Sequence, residues 1–590
     1  MKASLSELKV LVLDCQATGA SPQKGHILEL GWMSACASPA KNCQASDVQA
    51  YLNRLPKDEN IPRAVSRITG ITDDSLTAAK RSRIIWQHLM AAVKEVISEN
   101  QMAVCPTVIH FARFEEPFLK DLHQKYEPEG PFPFQLICTH EIAIRLLPDL
   151  PRRGLRALAG YFCHSMPELR RSADHVVATA LIWEKMIEIL NIKLGIYTLD
   201  QLADWLASTP PAGRSRRIYP MAPGKRLRLP DAPGIYRMLR ANGDLLYIGK
   251  AKSLKVRVNS YFRKKAPHAE HTLEMLTQAR KLDFTLTRNA VEAAMLESDE
   301  IKRRSPHYNI ALRSRQRKLA FCTKDLSRPS PAVDRVSAIG PLPDGKVIDA
   351  ISAFGHWITR GCRWEDQDLQ HRGYELLGLS PEYAPDPVCL KDGMAIFRDN
   401  HRYLESGQSP LRLLTALGAR LWRLRLEAAE ADDRNAENAS DSDDREVPSN
   451  DSSEERVWTP EAVARSMGHM VLHGAHLIRR ARWFCLLSES SLAWEAGGRP
   501  GGMKNLIILE SGSVIKQNAI AITEKIPVPP GFDRSFPRRQ KNLNLITYDR
   551  LRVLTTELRR LISENRPIEL CLSPTVTLGN QKLKKAFRWV

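Results

Sequence analysis

The 590-residue sequence predicts a multidomain protein: an α/β layer, then a small α+β domain, then a mostly helical C-terminal region. Three observations carry that reading. The length exceeds what one hydrophobic core serves, at roughly 150 residues per domain. The N-terminal third alternates short β-rich runs with helical stretches, the pattern of an α/β layer. Further on, two short apolar runs flank Asn242-Gly243, the strongest local signal for a β-hairpin.

Val10–Asp14, Ile27–Met33 and Ala103–Phe111 read as strands, and Ala173–Leu190 as an amphipathic helix. These make residues 1–200 one domain. The Pro-, Gly- and Arg-rich segment from Thr209 to Pro233 reads as exposed and basic, so residues 201–227 are assigned as a linker. The next domain covers 228–318. Its hairpin is followed by a helix over Ser253–Phe262 and another over Asn289–Arg304, the latter opening with Asn289 and Glu292 at capping-box spacing. Beyond lie residues 319–426 and 458–590, with helical patterns at Thr459–Leu492 and Tyr548–Ser563. Residues 427–457 are dense in Asp, Glu, Ser and Asn. Such a segment buries too little apolar surface to offset its ordering entropy, and disorder is expected there.

Hydrophobic content of 43% and charged content of 26% describe an ordinary soluble globular protein. A formal net charge of +19 and a pI near 9.5 imply a polyanionic partner, because Lys and Arg neutralise phosphates. Eleven cysteines without a CxxC pair argue against both a zinc ribbon and a secreted disulfide framework. No signal peptide and no long apolar run is evident, and a cytoplasmic location is expected.

Candidate chemistry concentrates in the second domain. The hairpin carries Gly234-Ile235-Tyr236 on one strand and Tyr247-Ile248-Gly249-Lys250 on the other, so Tyr236 and Tyr247 can face one site. Arg257 and Tyr261 are spaced i, i+4 and share a helical face. Glu297 lies four residues from both Ala293 and Ile301, at the edge of an apolar stripe, where a carboxylate is half buried.

Together with Leu254, Phe262 and Pro306-His307-Tyr308-Asn309, these residues resemble the GIY-YIG nuclease family, specifically its UvrC-type branch. Several elements in order over one short domain make a far more specific signal than either tripeptide. The resemblance implies a DNA endonuclease in which Glu297 ligates one Mg²⁺ or Mn²⁺ and Arg257 clamps a phosphate oxygen. Tyr247 would be the general base or orient water, with Lys250 helping to favour its phenolate. Tyr236 and Tyr261 would complete the site, and Asn309 would support it by hydrogen bonding.

Residues 8–190 resemble the DEDDh exonucleases, the DnaQ-type proofreading family with a ribonuclease H-like fold. The matching segments are Val10–Gly19, Ile27–Gly31, Ile61-Pro62, Gly70-Ile71-Thr72, Ile109–Leu119 and Arg170–Ala180. That family needs four acidic ligands for two metal ions and a histidine base. Here Asp14 fills the first acidic position, Gln16 the second and Glu115 the third. His175 stands at the fourth and Arg170 at the histidine position, while Asp174 is turned about 100° away around the helix. Two close divalent cations against so little negative charge are unfavourable, so this domain is expected to lack exonuclease activity.

Residues 320–590 carry no catalytic motif. Gly340-Pro341-Leu342-Pro343 resembles the segment that follows the nuclease domain in UvrC-type proteins, and Tyr548–Leu561 a helix of their shorter Cho-like relatives. Neither a helix-hairpin-helix pair nor a second catalytic domain is evident, so ordinary coupling to UvrA/UvrB-type partners is in doubt. The basic stretch Ala475–Leu487 reads first as an amphipathic core helix with solvated arginines, and alternatively as a helix whose Arg479, Arg480 and Arg482, beside Trp483 and Phe484, track phosphates. The leading expectation is a DNA-repair endonuclease that nicks damaged or branched DNA. The alternatives are an active 3′–5′ exonuclease fused to an endonuclease and a non-catalytic DNA-binding scaffold.

Overall fold

The computed structural model describes residues 4–37, 45–57, 59–164, 169–211, 217–263, 268–309, 318–331, 339–343, 345–379, 383–405, 407–436, 458–495, 502–530 and 543–587. The chain divides into two compact units, Met1–Ala293 with Arg304–Ala311, and Ala294–Arg303 with Leu312–Val590.

In the first unit, β1 (Val10–Ala17), β2 (Ile27–Ala35), β3 (Gln49–Leu52), β4 (Cys105–Ile109) and β5 (Phe134–Cys138) form one sheet in the order β3-β2-β1-β4-β5. β1 runs antiparallel to β2 and parallel to β4. The Val10-Leu11-Val12-Leu13 run of β1 is wholly buried because helices cover both faces. Leu11 and Leu13 pack with Trp86 and Leu89 of the helix Ser82–Asn100. Val10 and Val12 pack with Trp183 and Met186 of the helix Ser172–Leu194. The three expected strands and the helix are therefore present, with shifted ends.

The same unit holds a second sheet, β6 (Gly234–Leu239), β7 (Leu245–Ala251) and β8 (Lys281–Leu286), in the antiparallel order β7-β6-β8. The helix expected over Ser253–Phe262 spans Leu254–Ser260, with the Ser253 hydroxyl accepting from the Val256 amide at 3.2 Å. Leu254 and Val258 pack against Tyr236 and Met238 of β6. Met221 and Leu229 join this core, so the segment before β6 is not merely an exposed linker. The assignment of 201–227 as linker is corrected at both ends. Leu199–Ser208 is helical, started by Thr198, whose hydroxyl accepts from the Gln201 amide. Pro223–Leu227 forms a short helix, and residues 212–216 lie outside the described set.

Polar contacts join the two sheets' domains inside this unit. Arg240 donates through Nε and Nη2 to Gln278 Oε1 at 3.0 and 2.9 Å, and through Nη1 to the His164 carbonyl at 3.0 Å. Gln278 also donates to Tyr308, which donates to Glu274 at 2.6 Å. A Cβ at Gly160 would overlap the Gln278 amide, so the helices Leu155–Tyr161 and Glu270–Gln278 meet at glycine.

In the second unit, β9 (Leu319–Cys322), β10 (Pro329–Ser330) and β11 (Ile339–Pro343) form a small sheet. The helices Lys346–Thr359, Asp366–Leu376, Pro387–Asn400, Pro410–Ala436 and Pro460–Leu487 build one core around Phe354, Trp357, Phe397 and Leu417. The helix Pro410–Ala436 runs ten residues into the segment expected to be disordered from 427 onward. Ala and Glu dominate there, and extending a helix is cheaper than starting one. Residues 437–457 lie outside the described set.

The described C-terminal residues are mostly helical, but they also hold a sheet that the sequence reading did not foresee. The helix predicted over Thr459–Leu492 stops at Leu487, and β12 (Ser491–Glu495) follows. β12 lies centrally in a five-stranded antiparallel sheet with β13 (Met503–Glu510), β14 (Ser513–Ala521), β15 (Ile568–Ser573) and β16 (Val576–Gly579), ordered β14-β13-β12-β15-β16. The helix expected at Tyr548–Ser563 begins three residues earlier, at Leu545, under an Asn544 cap.

Candidate active site

The hairpin sets the register of the site. Tyr236 pairs with Gly249 across β6 and β7, and Met238 pairs with Tyr247, so both tyrosines project to one face. Their ring centroids lie 6.1 Å apart. Lys250 pairs with Ile235, one position off that face, and is half buried. A Cβ on Gly249 would lie 2.4 Å from the Tyr236 hydroxyl, so only glycine leaves room for that phenol.

Tyr236 is fully buried, and its hydroxyl meets the Tyr261 hydroxyl at 2.9 Å. Arg257, one helical turn before Tyr261, donates through Nη2 to that hydroxyl at 3.3 Å. The guanidinium also sits 5.0 Å from the Tyr261 ring centroid, a cation–π distance. Arg257 itself is exposed, and it also hydrogen-bonds with Tyr236. Burial, reinforced by Tyr261 and Tyr247, pushes the Tyr236 phenol well above its ordinary value, and Tyr236 keeps its proton.

Asn309 is buried and pins the centre of β7 from behind. Its Oδ1 accepts from the Ile248 amide and its Nδ2 donates to the Ile248 carbonyl, each at 2.8 Å. This fixes the backbone between Tyr247 and Gly249. His268 carried no motif signal, yet its Nε2 lies 2.7 Å from the Tyr261 carbonyl and its ring stacks on Tyr261.

Glu297 is half buried on the helix Ala290–Arg304. That helix starts as its sequence suggests, with Asn289 Oδ1 accepting from the Glu292 amide at 2.9 Å. The Glu292 carboxylate caps the Arg288 amide at 2.7 Å, one residue before the expected one. Residues Ala294–Arg303 of this helix, Glu297 included, belong to the second unit, whereas the three tyrosines, Arg257 and Asn309 belong to the first. Among the described residues no cluster of three His, Cys, Asp or Glu side chains could hold a metal ion. A lone carboxylate nevertheless suits Mg²⁺, which keeps several waters and takes its remaining ligands from substrate phosphates.

In the N-terminal sheet Asp14, Gln16, Glu115 and His175 converge, and Arg170 is not shown to join them. His175 Nδ1 lies 3.1 Å from Asp14 Oδ1, and Gln16 Nε2 donates to Asp14 Oδ2 at 3.3 Å. Burial disfavours the imidazolium, but the charge and hydrogen bond of Asp14 outweigh it and raise the His175 pKa. Burial, then the Asp14 charge, pushes the Glu115 carboxyl well above the carboxylate range, and its Oε2 has no hydrogen-bond partner among the described residues. Arg170 is exposed. Asp174 accepts from the Arg170 and Arg171 amides at 3.4 and 3.2 Å, turned to its own helix start. Both oxygens of Asp14 thus already face donors, and these residues do not fit a pair of divalent ions. Sequence reasoning missed Glu29, a buried carboxylate that Arg171 grips through Nε, with each oxygen at 3.0 Å.

Among known proteins, residues 232–310 match the UvrC-like GIY-YIG domain family. The UvrABC system protein C of Psychrobacter sp. is 42% identical over 124 residues, which is 20% of this chain and 20% of that protein. A putative bifunctional exonuclease/endonuclease protein of Mycobacterium tuberculosis is 26% identical over 315 residues, covering 52% of this chain and 45% of that one. The solved GIY-YIG N-terminal endonuclease domain of UvrC from Thermotoga maritima, bound to magnesium, is 36% identical. It covers 15% of this chain and 93% of its own, with a TM-score of 0.14. The chain therefore spans less than half the length of either relative compared by sequence.

Proposed function

We propose that this chain, which carries a UvrC-like GIY-YIG domain at residues 232–310, is a DNA endonuclease that nicks damaged or branched duplexes by phosphodiester hydrolysis. The observation that carries this is the hydrogen-bonded array Tyr236–Tyr261–Arg257 beside Tyr247, on a hairpin held by Asn309. Hydrolysis needs a positioned water and cationic donors aimed at the developing phosphorane charge. Arg257 supplies the donors, braced by the Tyr261 ring so that its exposed fork meets a phosphate oxygen without reorganising. Tyr247, partly exposed on the same face, orients or deprotonates the water. Tyr236 and Tyr261 hold that geometry, and Lys250 adds positive charge nearby. Glu297 would hold one Mg²⁺ or Mn²⁺, which supplies Lewis-acid polarisation of the scissile phosphate when bound.

The exonuclease-like N-terminal domain is read as catalytically silent, because His175 and Gln16 occupy the Asp14 oxygens. Docking to UvrA/UvrB-type partners remains part of this proposal only as the UvrC likeness suggests it. End-labelled damaged, branched and intact duplexes, incubated with Mg²⁺ or Mn²⁺, test the reading. Wild type and Asp14→Ala are expected to nick internally, and Glu297→Ala is not. Absence of nicking by wild type on every substrate sinks the endonuclease assignment. Metal-dependent end degradation that Asp14→Ala abolishes overturns the silent-domain assignment and favours the exonuclease fusion.

A further inference from the structure

The helix Pro460–Leu487 buries one side and charges the other. Val463, Met467, Val471, Gly474, Ile478 and Ala481 face the core of the second unit. At 100° per residue, Arg465, His469, His473, His476 and Arg480 fall within an arc of about 80° on the opposite side. The first three are exposed and the last two half buried. From Arg465 to Arg480 this stripe is about 22 Å long at 1.5 Å per residue.

Neighbouring helices of the same unit extend it. Trp422 of the helix Pro410–Ala436 meets the His476 ring edge-on at 5.1 Å. One turn on, exposed Arg425 lines a cavity of about 590 Å³ with Arg465 and His469. Glu461 is the one carboxylate lining that cavity. From the helix Leu545–Ser563, exposed Arg559 reaches the field of Arg480, which donates to the Tyr548 hydroxyl at 3.4 Å. Glu461, one turn before Arg465, feels its charge, but among the described residues no carboxylate forms an ion pair within 4 Å of Arg425, Arg465, Arg480 or Arg559.

The like charges act on one another. Burial, then His473, Arg480, Arg425 and Arg479, pulls His476 down to about 4. Partial desolvation by the surrounding side chains, then Arg480, pulls down both His473 and Arg559. A solvated helix face ordinarily intersperses acids with its bases, which this stripe does not do. Held together by three helices, such repulsion costs stability unless an anion relieves it.

We propose that this stripe, from Arg465 to Arg480 with Arg425 and Arg559 at its flanks, binds the phosphate backbone of duplex DNA as a second contact outside the nuclease domain. The choice of DNA over another polyphosphate rests on the nuclease reading above. Phosphates recur every 3.4 Å along each strand, so a stripe of about 22 Å spans roughly six base pairs. The contact is independent of sequence, because arginine on phosphate positions the duplex without reading bases.

The test is fluorescence anisotropy of a labelled intact duplex with the full chain in EDTA, between about 50 and about 200 mM salt. The triple variant Arg425→Gln/Arg465→Gln/Arg559→Gln changes only exposed side chains. Its log K against log salt slope is expected to flatten by about 2 to 3 units, at roughly 0.9 for each phosphate no longer neutralised. The corresponding triple lysine variant is expected to keep the wild-type slope. An unchanged slope in a glutamine triple with wild-type circular dichroism and Tm overturns the proposal. Should that triple unfold, Arg465→Gln/Arg559→Gln replaces it, with an expected flattening of about 1.8, and an unchanged slope there overturns the proposal equally. Because EDTA removes the chemistry, wild type that binds with the expected slope but never nicks in Mg²⁺ would sink the nuclease reading and leave this one standing.

Discussion

Gly249 and the Tyr236 hydroxyl compete for one space, since a Cβ there would stand 2.4 Å from that oxygen. Gly249→Ala must therefore push Tyr236 off Tyr261. We expect a loss of about 1 to 3 kcal/mol in urea unfolding, the range for overpacking a filled site, together with weaker nicking. Unchanged stability would mean the phenol is not confined there. A second residue-scale expectation concerns His175. Its folded pKa is raised above the ordinary 6.5, so its ion pair with Asp14 stabilises fully below that value. The contribution is lost as pH rises through the folded pKa. The stability gap between wild type and Asp14→Asn should accordingly be larger at about pH 6 than at about pH 9. A gap that is flat or widens with pH would contradict the ion pair. The shared face of Tyr236 and Tyr247, and that of Arg257 and Tyr261, were legible in the sequence because hairpin register and i, i+4 spacing are local, whereas Asn309 entered only through the family resemblance. His268 and the Glu29–Arg171 grip were not legible, since no spacing rule joins residues brought together only by tertiary folding.

Between elements, the helix Glu270–Gln278 bridges the two folds of the first unit through Gln278. Arg240 is buried, and both its Nε and Nη2 depend on that one side-chain oxygen. Gln278→Leu leaves a guanidinium buried without that partner, and we expect a cost of about 2 to 4 kcal/mol. Urea unfolding measures it, and a change below about 0.5 kcal/mol, the scale of an ordinary surface substitution, would refute the bridge. The elements that sequence reasoning misjudged share one cause. Runs such as Leu506–Leu509 and Leu570–Leu572 are short and apolar, and periodicity cannot assign them to strand or helix without the partner strand. The helix through Ala436 was hidden differently, because acidic composition masked good helix formers.

Across the whole molecule, a formal charge of +19 implies a polyanionic partner. Composition announced that partner but not where it binds, because charge is counted along the chain while a binding face is assembled from separate helices. The claim at the centre is hydrolysis supported by a single carboxylate-held cation, for which relaxation of supercoiled plasmid against magnesium concentration is the most direct measurement. Wild type is expected to yield open-circular product with a Hill coefficient of about 1, as one metal requires, while Glu297→Gln yields none at any magnesium concentration. Undiminished nicking by Glu297→Gln would contradict that claim.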